Sequence, residues 1–157
     1  MKDVFVNDAM KHGTDTEPFA RFNYEAKNDC KIEQVDFIDH PTIPFFGASP
    51  DGKVIGTDGL LEIKCPTSTT HFDYIVDGVI PEEYKPQMAV QMACTGAKWC
   101  DFLSFDNRCP EGLQYFQIRY ERDDDFIKTI EYEVIKLNAE VEIKYNKLKE
   151  KLNINQF

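Results

Sequence analysis

The stretch from Ala48 to Pro66, A-S-P-D-G-K-V-I-G-T-D-G-L-L-E-I-K-C-P, places two carboxylates and a lysine on one short segment of chain. Pro50-Asp51-Gly52 is a turn signal after an apolar approach, and Thr57-Asp58-Gly59 is a second one ahead of the strand-forming run Leu60 to Cys65. The pattern predicts a β-hairpin. Side chains alternate faces along a strand, so Glu62 and Lys64 point to one side and Ile63 to the other, into packed apolar surface. With Asp51 across from Glu62, two carboxylates converge with the backbone carbonyl of Ile63 on one volume. Such an all-oxygen set suits a hard divalent cation, Mg²⁺ best and Mn²⁺ next. A lysine beside that cation can hold and help deprotonate a water while the metal neutralises charge on a phosphoryl oxygen, so the chemistry implied is phosphodiester hydrolysis.

Either half alone is commonplace: E-x-K at a strand edge is a solvated ion pair, and P-D-G is a frequent turn. Together they are more telling. P-D, ten intervening residues, then E-x-K inside an apolar strand is the pattern of the PD-(D/E)xK nucleases. The longer string S-P-D-G…G-L-L-E-I-K-C-P resembles the lambda exonuclease and YqaJ viral recombinase family of phage alkaline exonucleases. Gly13-Thr14-Asp15-Thr16-Glu17-Pro18, the Tyr84 to Gln91 segment Y-K-P-Q-M-A-V-Q and the Trp99 to Arg108 segment W-C-D-F-L-S-F-D-N-R extend the resemblance over nearly the whole chain.

The resemblance implies an α/β fold with a restriction-endonuclease-like core, a central mixed β-sheet flanked by α-helices. It implies a metal-dependent DNA exonuclease acting 5′-to-3′ on duplex ends, in recombination with a single-strand annealing partner, and a homo-oligomer, the trimeric ring of the family. By the same resemblance Glu17 lines the metal site, Gln87 contacts the catalytic lysine or the attacked phosphate, and Ser49 helps hold the terminal 5′-phosphate. Gln91 is the neighbouring candidate to Gln87 one helical turn on. Relatives carry an N-terminal helical region, with an arginine for the 5′-phosphate, ahead of the glycine-glutamate motif; here a dozen residues precede Gly13. The sequence therefore reads as the nuclease domain without that extension. Two rival readings keep the same core: an endonuclease or RecB-like repair nuclease, and a non-catalytic partner of an annealing protein.

At 157 residues the chain is sized for one domain, 1–157, with one core. No window approaches the ~20 apolar residues of a membrane span, and Met1-Lys2-Asp3-Val4 lacks a signal-peptide apolar region, which sets a cytoplasmic expectation, the host cytoplasm for a phage protein. Five scattered cysteines without a C-x-x-C pair fit neither a disulfide framework nor an iron-sulfur nuclease. The formal net charge of -10 is opposite in sign to the usual nucleic-acid footprint, so the chain alone is not built for a tight grip on a DNA backbone.

In chain order, Asn7 to Ala26 predicts a helix or two half-helices restarting at Pro18, with Thr16 as N-cap and Met10, Phe19 and Phe22 as apolar positions. On that reading Glu17 is equally a first-turn acid favoured by the helix dipole. Cys30 to Asp39 reads as one strand, followed by a surface turn at His40-Pro41. The hydroxyl run Thr67 to Thr70 either caps a helix or meets phosphates, with His71 as an auxiliary proton-transfer candidate. Pro81 to Ala97 predicts a helix with Gln87 and Gln91 on one face. Strands follow at Lys98 to Asp106 and Leu113 to Glu121, with Arg108, Arg119 and Arg122 as basic candidates for phosphate contact. From Asp124 to Leu152, apolar residues spaced three and four apart predict one long helix whose first half packs on the domain and whose second half is available to another subunit.

Overall fold

Gly59–Lys64 forms the central strand of the molecule, and the other elements are arranged about its two faces. The computed structural model describes residues 7–152; Met1-Lys2-Asp3-Val4 lies outside them. The helices are α1 (Asp8–Asn28), α2 (Ser68–Asp77), α3 (Lys85–Thr95) and α4 (Asp124–Leu152). The strands are β1 (Ile32–Glu33), β2 (Ile38–Asp39), β3 (Gly47–Ala48), β4 (Gly52–Val54), β5 (Gly59–Lys64), β6 (Trp99–Phe105) and β7 (Tyr115–Glu121).

The main sheet runs β1-β4-β5-β6-β7, parallel only between β5 and β6. A parallel pair needs a crossover, and α2 and α3 supply it. Alternation along the strands sorts the core into two layers. Leu60, Cys100 and Phe102 meet Met88 and Met92 of α3, while Leu61, Ile63, Leu103 and Phe105 meet Ala20 and Tyr24 of α1. Glu62 shares the α3 face, which is why that helix can reach it. This is the expected α/β architecture, a mixed sheet flanked by helices.

Several local expectations are corrected. Helix α1 runs unbroken through Pro18 from an N-cap at Asn7, whose Oδ1 accepts the Met10 N–H at 2.8 Å. Thr16 is buried and its hydroxyl lies 3.3 Å from His12 Nδ1 instead of capping anything. An interior proline costs about 3 kcal/mol; burial of Ala20 and Tyr24, whose hydroxyl donates to Asp101 at 2.7 Å, offsets it. Met10, Phe19 and Phe22 are instead exposed.

The predicted strand from Cys30 to Asp39 is two short pieces in different sheets, β1 beside β4 and β2 beside β3. Gly47 permits the second pairing, because a Cβ there would lie 2.6 Å from the Ile38 carbonyl oxygen. His40 is buried, accepting the Thr42 and Ile43 N–H groups on Nδ1 and meeting Glu131 of α4 at 2.9 Å through Nε2. The three arginines are also committed internally. Arg108 binds Asp106 and Arg119 binds Asp101, both acids fully buried, and Arg122 donates to the Met92 and Ala97 carbonyls.

Helix α4 forms as expected, but only its start is covered. Ile127 is buried and Ile130 packs beside it, whereas Leu137, Val141, Tyr145 and Leu148 are about half exposed. All five cysteines are free. Among the described residues no helix is long and apolar enough to cross a membrane.

Gly59 opens β5 against the Trp99 ring, over which the Arg119 guanidinium lies at 3.5 Å. A Cβ at Gly59 would stand 2.0 Å from Trp99 Cζ2. Gly59→Ala should therefore lower the urea midpoint, at unchanged m-value, by an amount equivalent to about 3 kcal/mol.

Candidate active site

The β4–β5 register pairs Gly52 with Leu61, so Asp51 and Glu62 are the next opposed residues, just before β4 begins. Asp51 fills the gap: its Oδ2 accepts the Ile63 N–H at 2.6 Å. The N–H and C=O of one strand residue point to the same edge, so the Ile63 carbonyl opens on the same gap. Lys64, two residues beyond Glu62 on the same face, brings Nζ to 2.5 Å from Glu62 Oε1 and rests over the Tyr84 ring at 4.8 Å. Tyr84 is itself stacked on Phe102.

Helix α3 closes the face. Gln87 Nε2 donates to Glu62 Oε1 at 2.8 Å and Gln91 Nε2 to Oε2 at 2.6 Å. The two glutamines are thus not alternatives one turn apart; residues four apart share a helix face and take opposite oxygens of one carboxylate. Gln87 is exposed and Gln91 fully buried.

Glu17 lies mid-helix in α1, which removes the first-turn explanation for it. Its carboxylate is 2.5 Å from Arg21 Nη2, and its charge is still felt at Asp51. Ser49 is exposed at the entrance to the hairpin, with its carbonyl 3.5 Å from Gln91 Nε2. His71 is an anchor between α2 and the sheet. Its Nε2 donates to the Leu113 carbonyl at 2.8 Å, which leaves Nδ1 to accept from Ser104 at 2.6 Å, so both nitrogens are engaged within the fold. Thr67 caps α2, its hydroxyl accepting the Thr70 N–H.

Burial, reinforced by the negative charge of Glu62, pushes the Asp51 carboxyl up to about 7; the Ile63 N–H and Lys64 oppose this only in part. Acids are crowded here beyond what the nearby cations balance. Among the described residues no three His, Cys, Asp or Glu side chains form a ready metal cage. A cation would be held by Asp51, Glu62 and the Ile63 carbonyl, a hard-oxygen set whose crowded charge a divalent ion relieves.

The chain has close counterparts among known proteins. The model of the YqaJ-like viral recombinase domain matches residues 1–98. The chain belongs to that family. An alkaline exonuclease, LHK-Exo, from Laribacter hongkongensis is 50% identical over 95% of this chain and 76% of its own, with a TM-score of 0.90. The same enzyme in complex with dAMP aligns at 49% identity and a TM-score of 0.91 over 96% of this chain and 76% of its own. A phage-related exonuclease from Haemophilus somnus shares the fold at 15% identity, with a TM-score of 0.66 over 97% of this chain and 77% of its own. No curated protein matches significantly.

Sequence reasoning did not assign a role to Tyr84, Arg21 or Cys100 in this YqaJ-family site. Arg21 was findable, since it stands four residues after Glu17 on a helix. The ring of Tyr84 faces Lys64 only because α3 and β5 are packed together. Tyr84→Phe keeps that face and should retain nuclease activity, whereas Tyr84→Leu should lose about three- to thirty-fold in kcat, the worth of a partly desolvated cation–π contact.

Proposed function

We propose that this YqaJ-family DNA exonuclease hydrolyses duplex DNA from its ends in the 5′-to-3′ direction, with Mg²⁺ as its natural ion and Mn²⁺ as a substitute. One observation carries the reading. Asp51, Glu62 and Lys64 meet at the open end of β4, with Gln87 reaching the same carboxylate from the solvent side.

Asp51, Glu62 and the Ile63 carbonyl hold the ion, which supplies neutralisation of charge on the attacked phosphoryl group. Lys64 donates the hydrogen bond that holds and orients the attacking water, its ammonium kept in place by Glu62 and the Tyr84 ring. Gln87 has an exposed amide beside Glu62 and orients the phosphate. Glu17 adds negative charge to the pocket, and Ser49 offers its hydroxyl to the terminal 5′-phosphate. A mononucleotide product is supported by the relative solved with dAMP.

The internal commitment of Arg108, Arg119 and Arg122 and the acidic net charge leave little basic surface on one chain. Enclosure of DNA by a homotrimer supplies what the single chain lacks, and the uncovered apolar side of α4 supports such assembly. A single-strand annealing protein would receive the exposed strand.

The test is digestion of linear duplex labelled at the 5′ or the 3′ end, with Mg²⁺, Mn²⁺ or EDTA, beside covalently closed circular DNA. Early release of 5′ label as mononucleotide, abolished by EDTA and by Glu62→Ala, is the expected result. Cutting of the circle would make it an endonuclease, and full activity in EDTA would end the metal mechanism.

A further inference from the structure

Glu62 is 1% exposed, and a buried carboxylate is tolerable only where its oxygens are hydrogen-bonded. Oε1 carries both Lys64 and Gln87, while Oε2 carries, among the described residues, Gln91 alone. A carboxylate offers about four lone-pair sites, so one on Oε2 is left without a partner among the described residues. The donor on Oε2 is neutral, and it fixes the side chain without cancelling the charge that a cation needs.

The orientation of that donor is itself determined. Gln91 Oε1 accepts from the Cys100 thiol at 3.8 Å, and Nε2, besides binding Glu62, lies 3.5 Å from the carbonyl of Ser49, two residues before Asp51. Turning the amide over would set its oxygen against the Glu62 and Ser49 oxygens and its NH₂ against a thiol hydrogen. Cys100 is fully buried, and burial together with the charge of Glu62 keeps its thiol protonated and able to donate. Both ends of one buried amide are therefore assigned, and it spans both sides of the hairpin that bears the dyad.

We propose that Gln91 is a positioning residue for divalent-ion uptake, with its amide oriented by the Cys100 thiol so that Glu62 Oε2 and the Ser49–Asp51 segment are held at the spacing the ion requires. This rests on the metal-nuclease reading above and divides the glutamines by task, Gln87 toward substrate and Gln91 toward the metal ligand. Partners that orient ligating carboxylates are worth about 10- to 100-fold in metal affinity.

The experiment is calorimetric titration of the EDTA-stripped protein with MnCl₂ in the absence of DNA, for wild type, Gln91→Met, Cys100→Ala and Cys100→Ser. Cleavage kinetics are run at graded Mn²⁺. Gln91→Met should weaken Mn²⁺ binding about tenfold or more and raise the half-saturating Mn²⁺ for cleavage by the same factor, with the KM for DNA at saturating Mn²⁺ preserved. Cys100→Ala should shift affinity the same way by less, and Cys100→Ser, which retains a donor, should restore it. Mn²⁺ affinity in folded Gln91→Met within about twofold of wild type overturns the proposal. Should that variant not fold, equal affinities of Cys100→Ala and wild type overturn it. A wild type that neither binds Mn²⁺ nor cleaves DNA removes the nuclease reading and this inference together, whereas intact wild-type binding with an unchanged Gln91→Met removes the positioning role alone.

Discussion

Lys64→Ala lowers kcat for linear duplex about 10²- to 10³-fold, the usual worth of one fixed charged donor, while leaving Mn²⁺ binding in place. The expectation follows from the separate attachments of Lys64 and Asp51. Lys64 contacts Glu62 Oε1 and the Tyr84 ring, whereas Asp51 is tied to the Ile63 N–H. Removing the lysine strips the site of its ammonium without removing an oxygen ligand. Glu62 keeps Gln87 and Gln91, so its carboxylate stays where it is. Single-turnover cleavage of 5′-labelled duplex at saturating Mn²⁺, paired with calorimetry of the same preparation, measures both halves. Activity of Lys64→Ala within a few fold of wild type would leave the lysine as a mere ion-pair partner.

Asp51→Asn moves activity and stability in opposite directions. Activity falls about 10²- to 10³-fold or more, as for loss of one fixed charge-stabilising group. The metal-free protein becomes more stable at pH 8. Asp51 binds its proton more tightly folded than unfolded, since its carboxyl is pushed up to about 7 from an ordinary value near 4. The folded state therefore holds the extra proton between about pH 4 and pH 7, and stability contributed by the protonated form is lost as pH rises through that window. Asparagine cannot ionise and can still accept the Ile63 N–H. The variant should gain roughly 2–4 kcal/mol over metal-free wild type at pH 8 and nothing near pH 4, read as Tm in EDTA across that range. Added Mn²⁺ should close the gap by stabilising wild type alone. A Tm difference that is independent of pH would show that the carboxylates are not crowded.

Much of this was readable in advance because it depends on neighbours in the chain. Period-two alternation sets Glu62 beside Lys64, and turn residues on either side delimit a hairpin whose ends place Asp51 opposite. The i,i+4 spacing of Gln87 and Gln91 put them on one face before the identity of that face was known. What failed was equally local in its cause. Pro18 looked like a helix boundary because propensity registers its missing N–H but not the burial of Ala20 and Tyr24. The Cys30 to Asp39 run looked like one strand because β-propensity says nothing of which sheet a strand joins.

The sequence by itself determined the hairpin, the placing of Glu62 and Lys64 on one strand face, the mixed helix-and-strand order and the family these imply, since all of them follow from periodicity, turn chemistry and short spacings. Only the tertiary structure decided that both glutamines bind one carboxylate, that the Cys100 thiol donates to one of them, that Tyr84 supports Lys64, that His71 is an anchor, and that Arg108 and Arg119 bind buried acids while Arg122 binds backbone carbonyls. Those outcomes depend on which elements are packed face to face. Such contacts join residues far apart in the chain, and their energies arise from burial that local pattern does not encode.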